Sequence, residues 1–324
     1  MIHLRGGGEE GVGEDVVYTV VDHFSHRDAG PVLIDRFREV STFGEFCDLL
    51  GELDLFNGIA PEMEASRNYR RWAYESAALD LALRQAGTSL HERLGIEPRP
   101  VRFVCSTRLS TFEDDSASSL EPVTKRLEKH PTLEFKLDPE NDWTPELIDE
   151  LKKVATVRVL DLKGHYKNTP VDVETDPDLY RRVAEAFPEA WIEDADLDHP
   201  GAREALEPYL DRLSWDAPLH SLDDILALER QPKAINSKPS RFGSMREILA
   251  VYEFCVENGI TVYAGGQGEF EPGRGQAQYL ASLFHPDSTN DIAPSVYNDP
   301  SVPDGMPDSP LTPSPAPTGF RWFG

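Results

Sequence analysis

"AINSKPSRFGSMREILAVYEFCVENGITVYAG" (234–265) reads as a short buried strand, a polar turn, an amphipathic helix and a second short strand. Apolar residues spaced by three and four mark the helix, and β-branched runs mark the strands. Lys238 stands at the mouth of the first strand, directly before a proline. Burying an ammonium is costly unless it is paired or loses its proton, so a strand-end lysine is either solvated or a placed reagent.

The same unit recurs along most of the chain. Strands are expected at 101–105, 133–137, 157–162, 190–194, 212–216, 234–238 and 261–265, with helical segments such as "PELIDELKKV" and "PDLYRRVAEAF" between them. Seven strands alternating with helices predict parallel βα units. Their number favours a closed α/β barrel of the TIM type over an open doubly wound sheet, which is the alternative. Ahead of them, residues 1–24 read as short strands around a glycine turn and 41–56 as a helix. A longer helix follows, with Trp72, Ala73, Leu79, Leu83 and Ala86 on its apolar stripe and Gly87 at its C-terminal end. Its alanines predict close packing on another helix. "GGGEEG" (6–11) has the glycine spacing of a dinucleotide fingerprint but no strand feeding a helix, so it reads as a tight turn. The expected organisation is an α+β domain over 1–98, the barrel over 99–295 and a Pro-rich tail over 296–324. That tail reads as extended and poorly packed, with Phe320, Trp322 and Phe323 able to dock.

Charge narrows the partners. The 324 residues carry 58 acidic and 32 basic side chains, a formal −26, so phosphate backbones and anionic membranes are repelled. Only 9 of the basic residues are lysines, a carboxylate-rich and lysine-poor balance of halophilic type, although an ordinary acidic cytosolic protein shares it. Cys47, Cys105 and Cys255 are odd in number and far apart, which points to reduced thiols and a cytoplasmic location. No segment approaches the roughly 20 apolar residues of a membrane span.

Barrel enzymes assemble their sites at the C-terminal ends of the strands. Those ends carry Lys136, Asp161, Glu193, Asp216 and Lys238 on consecutive strands. Three converging carboxylates repel one another unless a cation lies between them, and oxygen-only ligation suits a hard divalent ion, Mg2+ first. The two lysines flank the trio. Taken singly, each residue has a plain alternative: Asp161 and Asp216 can cap helices, Glu193 can pair with an arginine, and Lys136 can be solvated.

With these residues in place, the chain resembles the enolase superfamily, in particular its muconate-lactonizing and o-succinylbenzoate-synthase subgroup. "GVGE" (11–14) is similar to the glycine-rich strand of that family's capping domain, "YESAALDLALRQAGTSLHERLG" to its helix before the barrel, and "SKPSRFGSM" to its sixth-strand lysine segment. The resemblance implies a modified TIM barrel, (β/α)7β, under an N-terminal α+β capping domain. It also implies Asp161, Glu193 and Asp216 as metal ligands and Lys136 and Lys238 as the acid/base pair. The implied activity removes the proton α to a small-molecule carboxylate through an enediolate, as a lyase or isomerase, with homo-oligomers common. Dehydration of the o-succinylbenzoate-synthase kind comes first, since "YAGGQGEFEPGRG" lacks the aspartate pair of the dipeptide epimerases. Racemisation, cycloisomerisation and a non-catalytic ligand-binding barrel are the alternatives.

The chain departs from the family pattern at several positions. Glu134 stands where a lysine is usual and, two residues before Lys136, is expected to share its face and raise its pKa. Lys163 replaces the usual asparagine after Asp161, Ala217 replaces a frequent acid after Asp216, and little precedes the glycine turn. Asn236, Glu269, Glu271 and Arg274 are further candidates for substrate contact, while His165 and His220 are possible auxiliaries.

Overall fold

The computed structural model describes every residue except 31, 32, 39, 111–116, 168, 170 and 324. Strands β1 (Ile2–Gly6) and β2 (Glu9–Gly13) form an antiparallel hairpin whose turn residues, Gly7 and Gly8, hold φ of +57° and +84°. Glycine accepts this left-handed backbone without penalty, so "GGGEEG" is a hairpin turn. Strand β2 lies directly on the helix Ser66–Gln85. A Cβ at Gly11 would stand 2.1 Å from the Ala77 carbonyl oxygen, and one at Gly13 would stand 2.0 Å from that of Ala73. Small residues on both sides permit the approach.

That helix joins two cores. Trp72, Leu79 and Leu83 pack with the barrel residues, while Tyr69, Tyr74 and Ala78 pack with Phe46, Leu50 and Leu55 of the N-terminal domain. Ala86, expected on the stripe, is exposed just past the last turn, and Gly87 takes the left-handed conformation (φ +65°) that ends it. Residues 20–24, expected as strand, instead open the helix Val20–Ala29, where Thr19 Oγ1 donates to Asp22 Oδ2 across the first turn (2.6 Å). Tertiary context overrides the strand preference of Val20 and Val21.

Seven parallel strands follow in sequence order: β3 (Val104–Thr107), β4 (Glu134–Leu137), β5 (Thr156–Asp161), β6 (Trp191–Glu193), β7 (Leu213–Trp215), β8 (Ala234–Ser237) and β9 (Thr261–Ala264). Helices separate them, and Thr144, Asp176, Ser221 and Ser244 each accept a backbone N–H at a helix start. The sheet curls towards closure. Its two edges are bridged by two residues, Asn290 to Phe103 and Asp291 to Gly265. Val104 N donates to Asn290 O (2.9 Å) and Asp291 N donates to Ala264 O (2.7 Å), while the Asn290 side chain accepts from Ala264 N (2.8 Å) and donates to Arg102 O (2.9 Å). An eighth strand is thereby reduced to one bridge on each side.

The C-terminal tail corrects the expectation of poor packing. Val302, Met306, Leu311, Phe320 and Trp322 are buried, and Leu311 pairs with Val101 in both directions. Asp80, on the long helix, accepts from Phe320 N (2.9 Å) and Arg321 Nε (2.8 Å), so the tail straps the two domains together. Of the three aromatic residues expected to dock, Phe323 is 63% exposed. Among the described residues, no helix is long and apolar enough to cross a membrane.

Candidate metal centre and lysine pair

Asp161 and Glu193 end β5 and β6, and both are fully buried at the same end of the sheet. Asp194 joins them because its backbone turns to φ +52° immediately after β6, which breaks the alternation that would send it outward. One oxygen from each of Asp161, Glu193 and Asp194 lies within 4.8 Å of the others. Asp194 is held in place by Asp216 N (2.8 Å) and Ala217 N (2.9 Å). Its signal in the sequence is the second acid of "WIED", which a strand period of two assigns to the face opposite Glu193.

Lys136 reaches into this group. Its Nζ donates to Glu193 Oε1 (2.5 Å) and stands 3.0 Å from Asp161 Oδ2 and 3.3 Å from Asp291 Oδ2. Burial disfavours the ammonium, but Asp161, Glu193 and Asp291 together hold its pKa well above the ordinary lysine value. Asn236 Nδ2 (3.3 Å) and Tyr263 Oη (2.6 Å) also donate to Glu193. Even so, burial pushes the Glu193 carboxyl up to about 8, and burial with Asp216 beside it pushes Asp194 up to about 6. Asp161 goes the other way, because Lys136 and Lys163 outweigh its burial. Lys163, held at φ +54°, bonds Asp161 and stands 3.5 Å from Asp138.

Asp216 adjoins the three carboxylates rather than completing the same close group. Its carboxylate pairs with Lys238 Nζ (2.6 Å) and Arg241 Nη1 (3.0 Å) and accepts from Tyr166 Oη (3.2 Å). Lys238 is 7% exposed. Burial works against its charge, but Asp216 and Tyr166 outweigh burial and Arg241 and hold its pKa above the ordinary lysine value. A Cβ at Gly265 would sit 2.1 Å from Asn236 Oδ1 and 2.8 Å from Lys238 Cε, so a glycine there leaves room for both side chains. Lys136 and Lys238 thus stand on opposite sides of the carboxylates, separated by β5, β6 and β7.

Other candidates are dispersed. Glu134 is corrected: it pairs with Arg102 (2.6 Å) and Arg158 (2.7 Å) at the strand starts, and is not among the charges acting on Lys136. The pairing of β4 with β5 shifts register between Phe135 and Lys136, and two guanidiniums outcompete one ammonium for this carboxylate. Burial opposes ionisation of Glu134, yet those bonds keep its carboxyl below the ordinary range. His165 is exposed and edges onto Trp215 (5.5 Å between ring centres), and His220 is partly buried, its backbone N–H on Asp224 (2.9 Å). Glu271 is exposed, while Glu269 in the loop after β9 and Arg274 in the first turn of the helix Gly273–Phe284 are buried. Asp291, Tyr263, Tyr166 and Arg241 escaped the sequence reading. "SKPSR" and "NDIAP" carried the only local hints.

The residues fit a hard divalent cation: the converging donors are all carboxylate oxygens, fully buried, and drawn from adjoining strand ends. Counting the contacts above, Asp138, Asp161, Glu193, Asp194, Asp216 and Asp291 face Lys136, Lys163, Lys238 and Arg241, six carboxyl groups to four cations.

Two family profiles cover the chain, the N-terminal domain of a domain of unknown function (DUF8230) at residues 1–93 and its C-terminal domain at 97–299. Among curated proteins, the o-succinylbenzoate synthase of Bacillus subtilis (strain 168) is 28% identical over 213 residues, covering 64% of this chain and 55% of that protein. The o-succinylbenzoate synthase of Enterococcus faecalis (strain ATCC 700802 / V583) is 29% identical over 231 residues, covering 66% and 56%. The match therefore spans little more than half the length of these relatives. In architecture, a member of the enolase superfamily from Roseovarius nubinhibens ISM superposes with a TM-score of 0.68 at 18% identity, over 98% of this chain and 85% of that one.

Proposed function

The chain belongs to the DUF8230 family, a distant branch of the enolase superfamily, and from that premise we propose that it is a Mg2+-dependent enzyme removing the proton α to a small substrate's carboxylate. The observation that carries this is the placement of two buried lysines on opposite sides of the converging carboxylates. Asp161, Glu193 and Asp194, with Asp216 beside them, would hold the cation. When bound, it supplies positive charge to the substrate carboxylate as the α-carbon gives up its proton.

Lys238 is the better base. It faces one carboxylate, shared with Arg241, whereas Lys136 faces three, so Lys238 releases its proton at lower cost. Lys136, held as an ammonium, is the acid. In the dehydration we favour, the α-proton passes to the Lys238 amine, and a β-hydroxyl leaves with a proton from Lys136, so that water departs and a C=C bond remains. The two curated synthases support dehydration over epimerisation or cycloisomerisation. A cytoplasmic location is consistent with its three buried free cysteines.

Incubation with small carboxylates in heavy water, with and without Mg2+, tests the proposal. The expected result is Mg2+-dependent deuterium incorporation at the α-carbon, lost about 10²–10⁴-fold in Lys238→Ala. Exchange that ignores both the metal and Lys238 would refute it.

A further inference from the structure

Lys163 stands among the converging carboxylates without a part in the chemistry above, and its position sets it against the cation. Its ammonium bonds Asp161 Oδ2, the same oxygen that Lys136 Nζ approaches at 3.0 Å, while its backbone N–H donates to Asp161 Oδ1 (3.2 Å). Two ammoniums thus sit on one oxygen of a carboxylate proposed to hold a divalent ion. Positive charges a few ångströms apart repel strongly where solvent is excluded, so one ammonium has to give way as the ion binds.

Lys136 is badly placed to yield. Its Nζ is also fastened to Glu193 Oε1 (2.5 Å), Asp291 lies 3.3 Å away, and its side chain is 2% exposed. Lys163 has a second seat. Its Nζ stands 3.5 Å from Asp138 Oδ1, a buried oxygen that accepts no hydrogen bond among the described residues, and 5.3 Å from the centre of the Tyr166 ring. The other oxygen of Asp138 accepts from Arg108 Nε (3.1 Å), which holds that carboxylate in place. The main chain at Lys163 is fixed as well. Gly164 N donates to Asp194 O (2.7 Å), and a Cβ on Gly164 would stand 2.4 Å from Asp196 N, so the turn is pressed against the segment after β6. Only the side chain is left to move. It is 15% exposed, and the flexible four-carbon stem of a lysine can carry Nζ across the short gap from Asp161 to Asp138.

We infer that Lys163 is a tethered counter-ion, which neutralises Asp161 before the divalent cation arrives and passes to Asp138 when the cation takes that oxygen. The inference rests on the proposed function for the identity of the cation. Metal binding is then an exchange of one positive charge for another, at a cost in affinity. Asp138 serves the centre by receiving the displaced ammonium and is not itself a ligand.

Calorimetric titration with Mg2+ tests the exchange without requiring turnover. Lys163→Met keeps the stem and removes the charge, and it should bind Mg2+ about tenfold or more tightly than the wild type. Lys163→Gln should do the same, which guards against a misfolded variant, and thermal melts establish that each is folded. Asp138→Asn separates exchange from simple repulsion. It should weaken Mg2+ binding about tenfold in the wild type, where the ammonium loses its second seat, but less than about twofold in Lys163→Met, where no ammonium has to be received. Equal Mg2+ affinity in the wild type and both Lys163 variants overturns the inference, as does an Asp138→Asn loss of the same size in both backgrounds. Mg2+ binding by none of these proteins would sink the divalent-ion assignment and this inference with it. Tighter Mg2+ binding in Lys163→Met, with no α-exchange by any of the proteins, would instead count against the catalytic proposal alone.

Discussion

Two ionic clusters occupy opposite ends of the same strands, and they solve different problems. At the strand starts, Glu134 lies between Arg102 and Arg158, with side chains 16%, 36% and 29% exposed, so one anion is overmatched by two partly solvated cations. At the C-terminal ends, Asp161, Glu193, Asp194 and Asp216 are fully buried and anions outnumber their cations. The first cluster is a fastening between strands. The second holds more carboxyl groups than cations, and burial with incomplete pairing is where carboxyl pKa values spread apart, as Glu193 and Asp161 do.

The sharpest way to break the contrast is Asp161→Asn. Removing the carboxylate shared by Lys136 and Lys163 takes a buried partner from both, and the expected loss is about 3 kcal/mol of stability in denaturant titration. His285, which belongs to neither cluster, provides an acid-titration control. It is buried against Asn290 (2.8 Å) and Tyr252 (3.2 Å), and burial lowers its pKa from 6.5 to about 4. Between those values the unfolded chain takes a proton that the fold refuses, so stability should fall as pH drops from 6.5 towards 4, by on the order of 3 kcal/mol. The wild type minus His285→Gln difference profile measures it, and a flat difference would reject the assignment. Mg2+ at a hundredfold excess over its Kd should stabilise the wild type by about 2.7 kcal/mol and leave Asp161→Asn unmoved in the same melts. Glu134→Gln should cost about 1 kcal/mol or less, because its partners keep solvent access, and should leave Mg2+ binding intact. A large effect there would erase the distinction between the ends.

The fold was legible because its signals are local. The helix at 245–258 starts where Ser244 accepts from Glu247 N and ends where Gly259 turns left-handed, both written in adjoining residues. The alanines of Ser66–Gln85 announced a close approach, but to another helix, whereas Ala73 and Ala77 lie against Gly13 and Gly11 of strand β2. Within the site, the strand-end positions of Lys136, Asp161, Glu193 and Lys238 followed from periodicity. Asp194 did not, since a single residue with positive φ reverses a side chain without altering the strand pattern around it. Asp291 did not either, because the segment bringing it beside Lys136 contributes only isolated bridges and has no periodicity to read.

By itself, then, the amino-acid order determined the alternation of strands and helices, the N-terminal α+β region and the row of charged residues at the strand ends, because period and turn chemistry act over a few residues. Which carboxylate pairs with which cation, that Glu134 serves the opposite end, that the tail is a strap, and that Lys163 lies between Asp161 and Asp138 were decided only in three dimensions. Ion pairing depends on distances between strands far apart in sequence, and those are set by curvature, register shifts and closure of the sheet.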